Sequence, residues 1–192
     1  PEPFVYSHKG NLNTVSLAGT RPFNSENLDI DNWNHKEKQE QEYVTRYIER
    51  TLNNYGVITY IRKGPFIARA GNLIHLRTDF AFSAAALGDR LPSLIQNLHP
   101  TPAICGMPAN SALEFIKNHE NYNREYYAGF LGPVGIDDLL QLFVNLRCVK
   151  VLENKLLLYT GSGITDESIP GEEWEETEIK AETILDVLNK IK

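Results

Sequence analysis

Leu73-Ile74-His75-Leu76-Arg77-Thr78-Asp79-Phe80-Ala81-Phe82-Ser83 is the stretch whose reading decides the fold. Rich in apolar and aromatic residues, it reads as a strand, and Ala70-Gly71-Asn72 hinges it to a preceding strand over residues 56–70. That earlier strand holds a break at Gly64-Pro65. Toward the N-terminus, residues 4–7 and 14–18 read as two more strands around a turn at Lys9-Gly10-Asn11, and residues 22–35 as a polar loop. A helix covers 36–55 and is stopped by Gly56. Beyond the hinge, a short helix fits 91–98 and His99-Pro100-Thr101-Pro102 breaks it. A second spans 111–119, with Ser111 and Glu114 at capping-box spacing. Residues 125–134 read as Gly-punctuated strand, and 142–152 pairs across Glu153-Asn154 with 155–159 as a hairpin. A last helix runs from Glu172 to the end. The fold class predicted is α+β, with antiparallel sheets flanked by helices.

With 42% hydrophobic and 23% charged residues in 192, the chain is too apolar for disorder and long enough to bury a core as one unit, residues 1–192. No apolar run approaches the ~20 residues that cross a bilayer, so no membrane partner is expected. An excess of 25 acidic over 19 basic residues, net −6, argues against nucleic acid. Cys105 and Cys148 read as reduced, core-type thiols of a cytoplasmic protein. Pro1-Glu2-Pro3 runs straight into Phe4-Val5-Tyr6 with neither Met nor polar leader, and a fragment of a longer chain is expected.

In the first long helix, Tyr43, Val44, Tyr47, Thr51 and Tyr55 form a stripe at ~100° per residue, and Glu40 lies in line with it. A carboxylate on a buried face is costly unless paired, protonated or bound to a cation. In the last helix Trp174, Ala181, Leu185, Leu188 and Ile191 make the expected core stripe, bordered by Glu173, Glu176 and Lys180. Taken alone, Glu173 and Glu176 are a solvated acidic turn at a helix N-terminus. Taken with Glu40, they suit an oxygen-only site for Mg²⁺, which binds one or two protein carboxylates and completes its shell with water and an anionic substrate. Gly161-Ser162-Gly163 can approach an anion closely but lacks the spacing of a phosphate-binding loop. Arg147 alternates with Val149 and Val151 on a strand, where Arg usually holds a carboxylate. His75 alone reads equally as a satisfied structural histidine, and Tyr126 and Tyr127 as core.

Together these pieces resemble one family. Ser16-Leu17-Ala18-Gly19-Thr20-Arg21, Lys36-Glu37 with Glu40-Gln41, His75-Leu76, His99-Pro100-Thr101-Pro102-Ala103, Tyr127-Ala128-Gly129, Arg147-Cys148, Gly161-Ser162-Gly163-Ile164, and Glu173-Trp174-Glu175-Glu176-Thr177 with Lys180 follow the order of the chorismate-utilising enzymes. These are the isochorismate, anthranilate, aminodeoxychorismate and salicylate synthases. Pro1-Glu2 resembles the end of their Ser-Pro-Glu motif. The resemblance implies the C-terminal half of the layered α/β sandwich of anthranilate synthase component I. It implies chorismate as substrate, with Glu40 and Glu176 holding Mg²⁺ and Glu173 supporting them. Arg147, Lys180 and the backbone of Gly161, Ser162 and Gly163 would bind carboxylates, with Ala103, Ile104 and Tyr127 along the pocket. His75 would sit near the ring, Gly19 and Thr20 near its hydroxyl end, and Glu2 would protonate the departing C4 hydroxyl.

Two departures stand out. Gln41 replaces the usual His after the Mg²⁺-binding Glu, and family members carry a long N-terminal half holding the lysine that activates water. The chain alone is therefore expected to be inactive, with apolar surface left exposed or covered by a second copy as a homodimer. Leu98-His99-Pro100-Thr101-Pro102-Ala103 and Asn145-Leu146-Arg147-Cys148 resemble the isochorismate synthases, implying isomerisation of chorismate to isochorismate for menaquinone formation. Salicylate synthase is the alternative within the family. A non-catalytic binding or regulatory domain is the alternative outside it.

Overall fold

A computed structural model describes residues 1–8, 10–136 and 139–190. Its centre is a seven-stranded antiparallel sheet built from β1 (Glu2–His8), β2 (Asn11–Pro22), β3 (Ile61–Ala70), β4 (Leu73–Ser83), β5 (Phe130–Leu131), β6 (Val134–Ile136) and β7 (Leu139–Val144). The order across the sheet is β3-β4-β2-β1-β7-β5, with β6 also paired to β7. A separate hairpin joins β8 (Cys148–Val151) to β9 (Leu156–Tyr159). Helices α1 (His35–Asn54), α2 (Leu91–Leu98), α3 (Pro102–Cys105), α4 (Ala109–His119) and α5 (Pro170–Leu188) complete the α+β fold. Among the described residues, no helix is long and apolar enough to cross a membrane.

The hairpin read at Ala70-Gly71-Asn72 sets the registers. β4 spans Leu73–Ser83, and β3 pairs with it antiparallel, slipping register between Lys63 and Phe66 where Gly64-Pro65 interrupts the strand. Along β4 the even positions Ile74, Leu76, Thr78, Phe80 and Phe82 are all buried. Opposite them on β2 stand Leu12, Thr14 and Ser16, in register with Phe82, Phe80 and Thr78. Helix α1 covers this face through Val44, Ile48 and Leu52, closing the main core with Phe4, Val5, Leu94, Leu98 and Leu142. The interface holds a polar seam as well: Gln41 Nε2 donates to Ser16 Oγ (2.8 Å) and Thr78 Oγ1 (3.1 Å).

The structure corrects several sequence expectations. β3 begins at Ile61 rather than residue 56, because residues 57–60 leave α1 as extended connector. On α1 the buried stripe is Gln41, Val44, Thr45, Ile48, Thr51 and Leu52. Tyr43 is exposed, and Tyr47 and Tyr55 pack at the core edge with their hydroxyls bonded to Asn97. α4 starts at Ala109 behind Pro108, so the Ser111–Glu114 spacing falls inside the helix and caps nothing. Residues 125–128 are a turn, and the strand read over 125–134 is only the short β5 and the start of β6. The strand read over 142–152 breaks at Asn145-Leu146-Arg147, where Arg147 has φ +49°. Arg147 thus lies in the kink between β7 and β8, not alternating on a strand. On α5 the faces are exchanged: Glu173 is buried, whereas Trp174 is 69% and Leu185 42% exposed. Ile191 and Lys9 lie outside the described residues.

Candidate active site

Gly19 is where the sheet turns toward chemistry. The β2–β4 register slips between Ala18 and Thr20, and Gly19 takes φ +70°, a conformation that disfavours a Cβ. A Cβ there would also press Glu37 and Trp33 at 3.2 Å. The extra residue swaps the faces that follow. Thr20 now stands opposite His75, and Arg21 opposite Ile74 on the helix side. Thr20 Oγ1 lies 3.2 Å and the Gly19 carbonyl oxygen 3.1 Å from His75 Nδ1, while the buried Nε2 has no partner among the described residues. Burial pushes the His75 imidazole below its ordinary value. Glu2 opposes that and Arg147 and Lys180 reinforce it, so these groups share one electrostatic neighbourhood.

Arg21 pairs bidentately with Glu37, Nε to Oε1 at 2.7 Å and Nη2 to Oε2 at 2.8 Å, and lies over the Trp33 ring at 5.1 Å. Glu37 Oε2 also accepts from the Asn34 backbone N–H at 2.8 Å, fixing the start of α1. The first turns of α1 are thereby clamped to the end of β2. Across the sheet edge, Arg147 Nη2 donates to Glu2 Oε1 at 2.8 Å, with both side chains largely buried.

Between α1, α5 and the end of β2 lies a cleft of about 210 Å³ lined by Thr20, Arg21, Lys36, Glu37, Glu40, Glu173 and Glu176, among others. Lys36 Nζ pairs with Glu173 Oε1, and Lys180 Nζ with Glu176 Oε1 at 2.8 Å. Glu40 has no such partner among the described residues. Burial pushes its carboxyl up to about 7; Lys36 opposes, Glu176 and Glu173 add to the rise, and Lys180 opposes. Burial alone would raise Glu173 too, but Lys36 and the Ser168 and Ser162 hydroxyls outweigh it and hold it below the usual value.

The loop after β9 closes one side. Lys180 Nζ donates to the Gly161 carbonyl oxygen at 3.0 Å, and Gly163 faces Glu40, where a Cβ would stand 3.6 Å from Oε1. A Cβ at Gly161 would come within 2.7 Å of the Tyr127 hydroxyl. Tyr127 stacks on Tyr159 with centroids 5.4 Å apart, and burial pushes its phenol up to about 12 against the opposing Arg124. The structure thus gathers Glu40, Glu173, Glu176, Lys180, Gly161 and Gly163 around one cleft, with Tyr127 behind the loop. Glu2, Arg147, His75, Thr20 and Gly19 form a neighbouring cluster. Ala103 and Ile104 stand apart on α3: Ala103 is exposed, and Ile104 packs against the main core.

Lys36, Glu37 and Arg21 carry part of the family resemblance but receive no function from the sequence. Lys36 stands four residues before Glu40, one helical turn away, and that spacing was the signal available for it. No group of three or more His, Cys, Asp or Glu side chains stands at metal-binding distance among the described residues. The two lysines already occupy Glu173 and Glu176. The donor set nevertheless fits a hard cation: it is all carboxylate, Glu173 Oε2 is buried without a partner, and Glu40 has no ion-pair partner among the described residues.

The family model for chorismate-binding enzymes matches residues 1–189. The chain belongs to that family. It is 31% identical to isochorismate synthase EntC of Escherichia coli (strain K12), over 97% of this chain and 49% of that protein. The structure of MenF, the menaquinone-specific isochorismate synthase from Escherichia coli, superposes with a TM-score of 0.80 at 29% identity, covering 95% of this chain and 43% of that one. Anthranilate synthase component I from Streptococcus pneumoniae TIGR4 shares the fold, with a TM-score of 0.75 at 21% identity over 94% of this chain and 41% of that one. The chain spans about half the length of these relatives.

Proposed function

We propose that this chain is the C-terminal part of an enzyme that isomerises chorismate to isochorismate with Mg²⁺, in the cytoplasm. The observation that carries the reading is the acidic cleft of Glu40, Glu173 and Glu176, set beside the Lys180–Gly161 contact and the Glu2–Arg147–His75 cluster. Mg²⁺ bound there by Glu40 and Glu176, with Glu173 in support, would neutralise the substrate's ring carboxylate. Arg147, Lys180 and the backbone around Ser162 bind and orient the carboxylates. Glu2 carries the proton that leaves with the C4 oxygen as water, while a second water loses a proton as it adds at C2 and the double bond shifts. A substrate carboxylate that engages Arg147 releases Glu2 from its ion pair, so that Glu2 can take up the proton it then gives to the departing C4 oxygen.

The lysine implied as the water-activating base belongs to the N-terminal half of the family, so the 192 residues alone are proposed to bind without turnover. The exposed apolar side chains Trp174, Val151 and Leu156 are read as surface covered by further chain or by a second copy. Menaquinone formation is the route proposed.

The test is product analysis of the full-length protein with chorismate and Mg²⁺. Isochorismate is expected. Salicylate release, or anthranilate when ammonia is supplied, moves the enzyme to another branch, and no product at all supports the binding-domain reading.

A further inference from the structure

Glu173 is the most deeply buried residue of α5, only 4% exposed, and its two oxygens differ. Oε1 accepts from Lys36 Nζ, whereas Oε2 is buried with no hydrogen-bond partner among the described residues. Ser162 and Ser168 hydroxyls lie close enough to favour the anion, yet neither completes a bond to Oε2. An unpartnered buried carboxylate oxygen is expensive and needs a reason.

The identity of the partner matters here. An ammonium is a compact point donor that can satisfy one carboxylate oxygen, whereas a guanidinium is a planar fork that takes both. Lys36 leaves α1 one turn before Glu40 and crosses the cleft to Glu173, so it ties the helix that bears Glu40 to α5.

We propose that Lys36 is a positioning residue: by engaging Oε1 alone, it fixes the Glu173 carboxylate with Oε2 left free for a cation in the cleft. The proposal rests on the cation reading given above. Metal ligands are commonly aimed by such outer partners, and losing one typically weakens metal affinity by about 10- to 100-fold.

The experiment is calorimetric titration of Mg²⁺ into the chain and its Lys36→Met and Lys36→Arg variants, with melting curves in chelator alongside. The unaltered chain is expected to bind Mg²⁺, and Lys36→Met to bind it about 10- to 100-fold more weakly. Lys36→Arg is expected to melt no lower than the unaltered chain yet bind Mg²⁺ as weakly as Lys36→Met, because its fork covers both oxygens. Wild-type affinity in Lys36→Arg overturns the proposal and leaves Lys36 a structural counter-charge. Unchanged or tighter binding by Lys36→Met overturns it too, showing that Lys36 only repels the cation. If Lys36→Met does not fold, the Arg variant decides alone. If the unaltered chain binds no Mg²⁺, the cation reading itself fails and the proposal falls with it, a result seen before any variant is measured.

Discussion

Glu2 and Arg147 are 145 positions apart in the chain and form one ion pair of 2.8 Å, joining the first strand to the kink after β7. The kink aims the arginine: φ +49° at Arg147 turns the chain out of the β7 ladder. An arginine continuing in a strand would instead alternate with its neighbours.

Glu2→Gln is expected to keep the fold at a cost of about 1–3 kcal/mol, because the amide still accepts from Arg147 but the largely buried guanidinium loses its counter-charge. In the full-length enzyme it is expected to lower kcat by about 10²- to 10⁴-fold, the usual contribution of a general acid. Arg147→Ala is expected to do the reverse in part: KM rises, and stability falls by about 1–3 kcal/mol because Glu2 is left largely buried without its partner. A Glu2→Gln enzyme with unaltered kcat would remove Glu2 from the reaction.

Glu40 gives a pH dependence with a definite sign. Its carboxyl ordinarily titrates at 4.5 and is pushed up to about 7 in the folded chain. Between those values the native state holds a proton that the unfolded state has released. Glu40's contribution to metal-free stability therefore falls as pH rises through this window and stays low above it. The full effect is of order 2 kcal/mol, allowing for partial solvent screening of a half-buried group. Denaturant melts in chelator at pH 5 and pH 8 read it as the difference between the unaltered chain and Glu40→Gln. His75 and His99, pushed below their ordinary values by burial, change stability in the opposite sense over the same window. Glu40→Gln is expected to remove Glu40's contribution and to be the more stable protein at pH 8, while losing its Mg²⁺ affinity. A sharp loss of stability in Glu40→Gln at pH 8 would instead mark Glu40 as half of a structural ion pair.

Gly19→Ala is expected to destabilise by about 2 kcal/mol, since it combines a positive φ with tight contacts at 3.2 Å to Glu37 and Trp33. Gly71→Ala is the control. It shares the positive φ at +67° but has nothing within 4 Å of a Cβ, so only the backbone cost of about 1 kcal/mol applies. Equal losses in urea melts would show that the packing of α1 against the bulge contributes nothing.

What the sequence disclosed and what it hid divide along one physical line. β4 and α2 were legible to the residue because their apolar content and flanking breakers are local signals. Glu40 was legible as an anomaly because its charge conflicts with its helical position. α5 misled because its polar face, not its apolar one, turns inward: Glu173 and Lys180 find partners across the cleft, and Trp174 stays in solvent. Periodicity assumes that apolar residues define the buried face, and a charged cleft reverses that rule. The Arg147 kink and the Gly19 face swap were hidden because both arise from pairing register with distant strands.

The contact between Gly161 and Tyr127 carries the last prediction. With 2.7 Å between a Cβ at residue 161 and the Tyr127 hydroxyl, Gly161→Ala must displace either the loop or the ring. The ring is held by its stack on Tyr159, so the loop is expected to move, and with it the carbonyl that accepts from Lys180. Gly161→Ala should therefore destabilise by about 1–3 kcal/mol, the usual cost of overpacking. Tyr127→Phe removes the clashing oxygen and alone should cost less than about 1.5 kcal/mol, since little volume changes. Combined, the two should recover part of the loss, giving a favourable coupling of about 1 kcal/mol in a double-mutant cycle. Additive losses would mean that the Tyr127 hydroxyl does not set how closely the Gly161 backbone approaches, and that the glycine is kept for another reason.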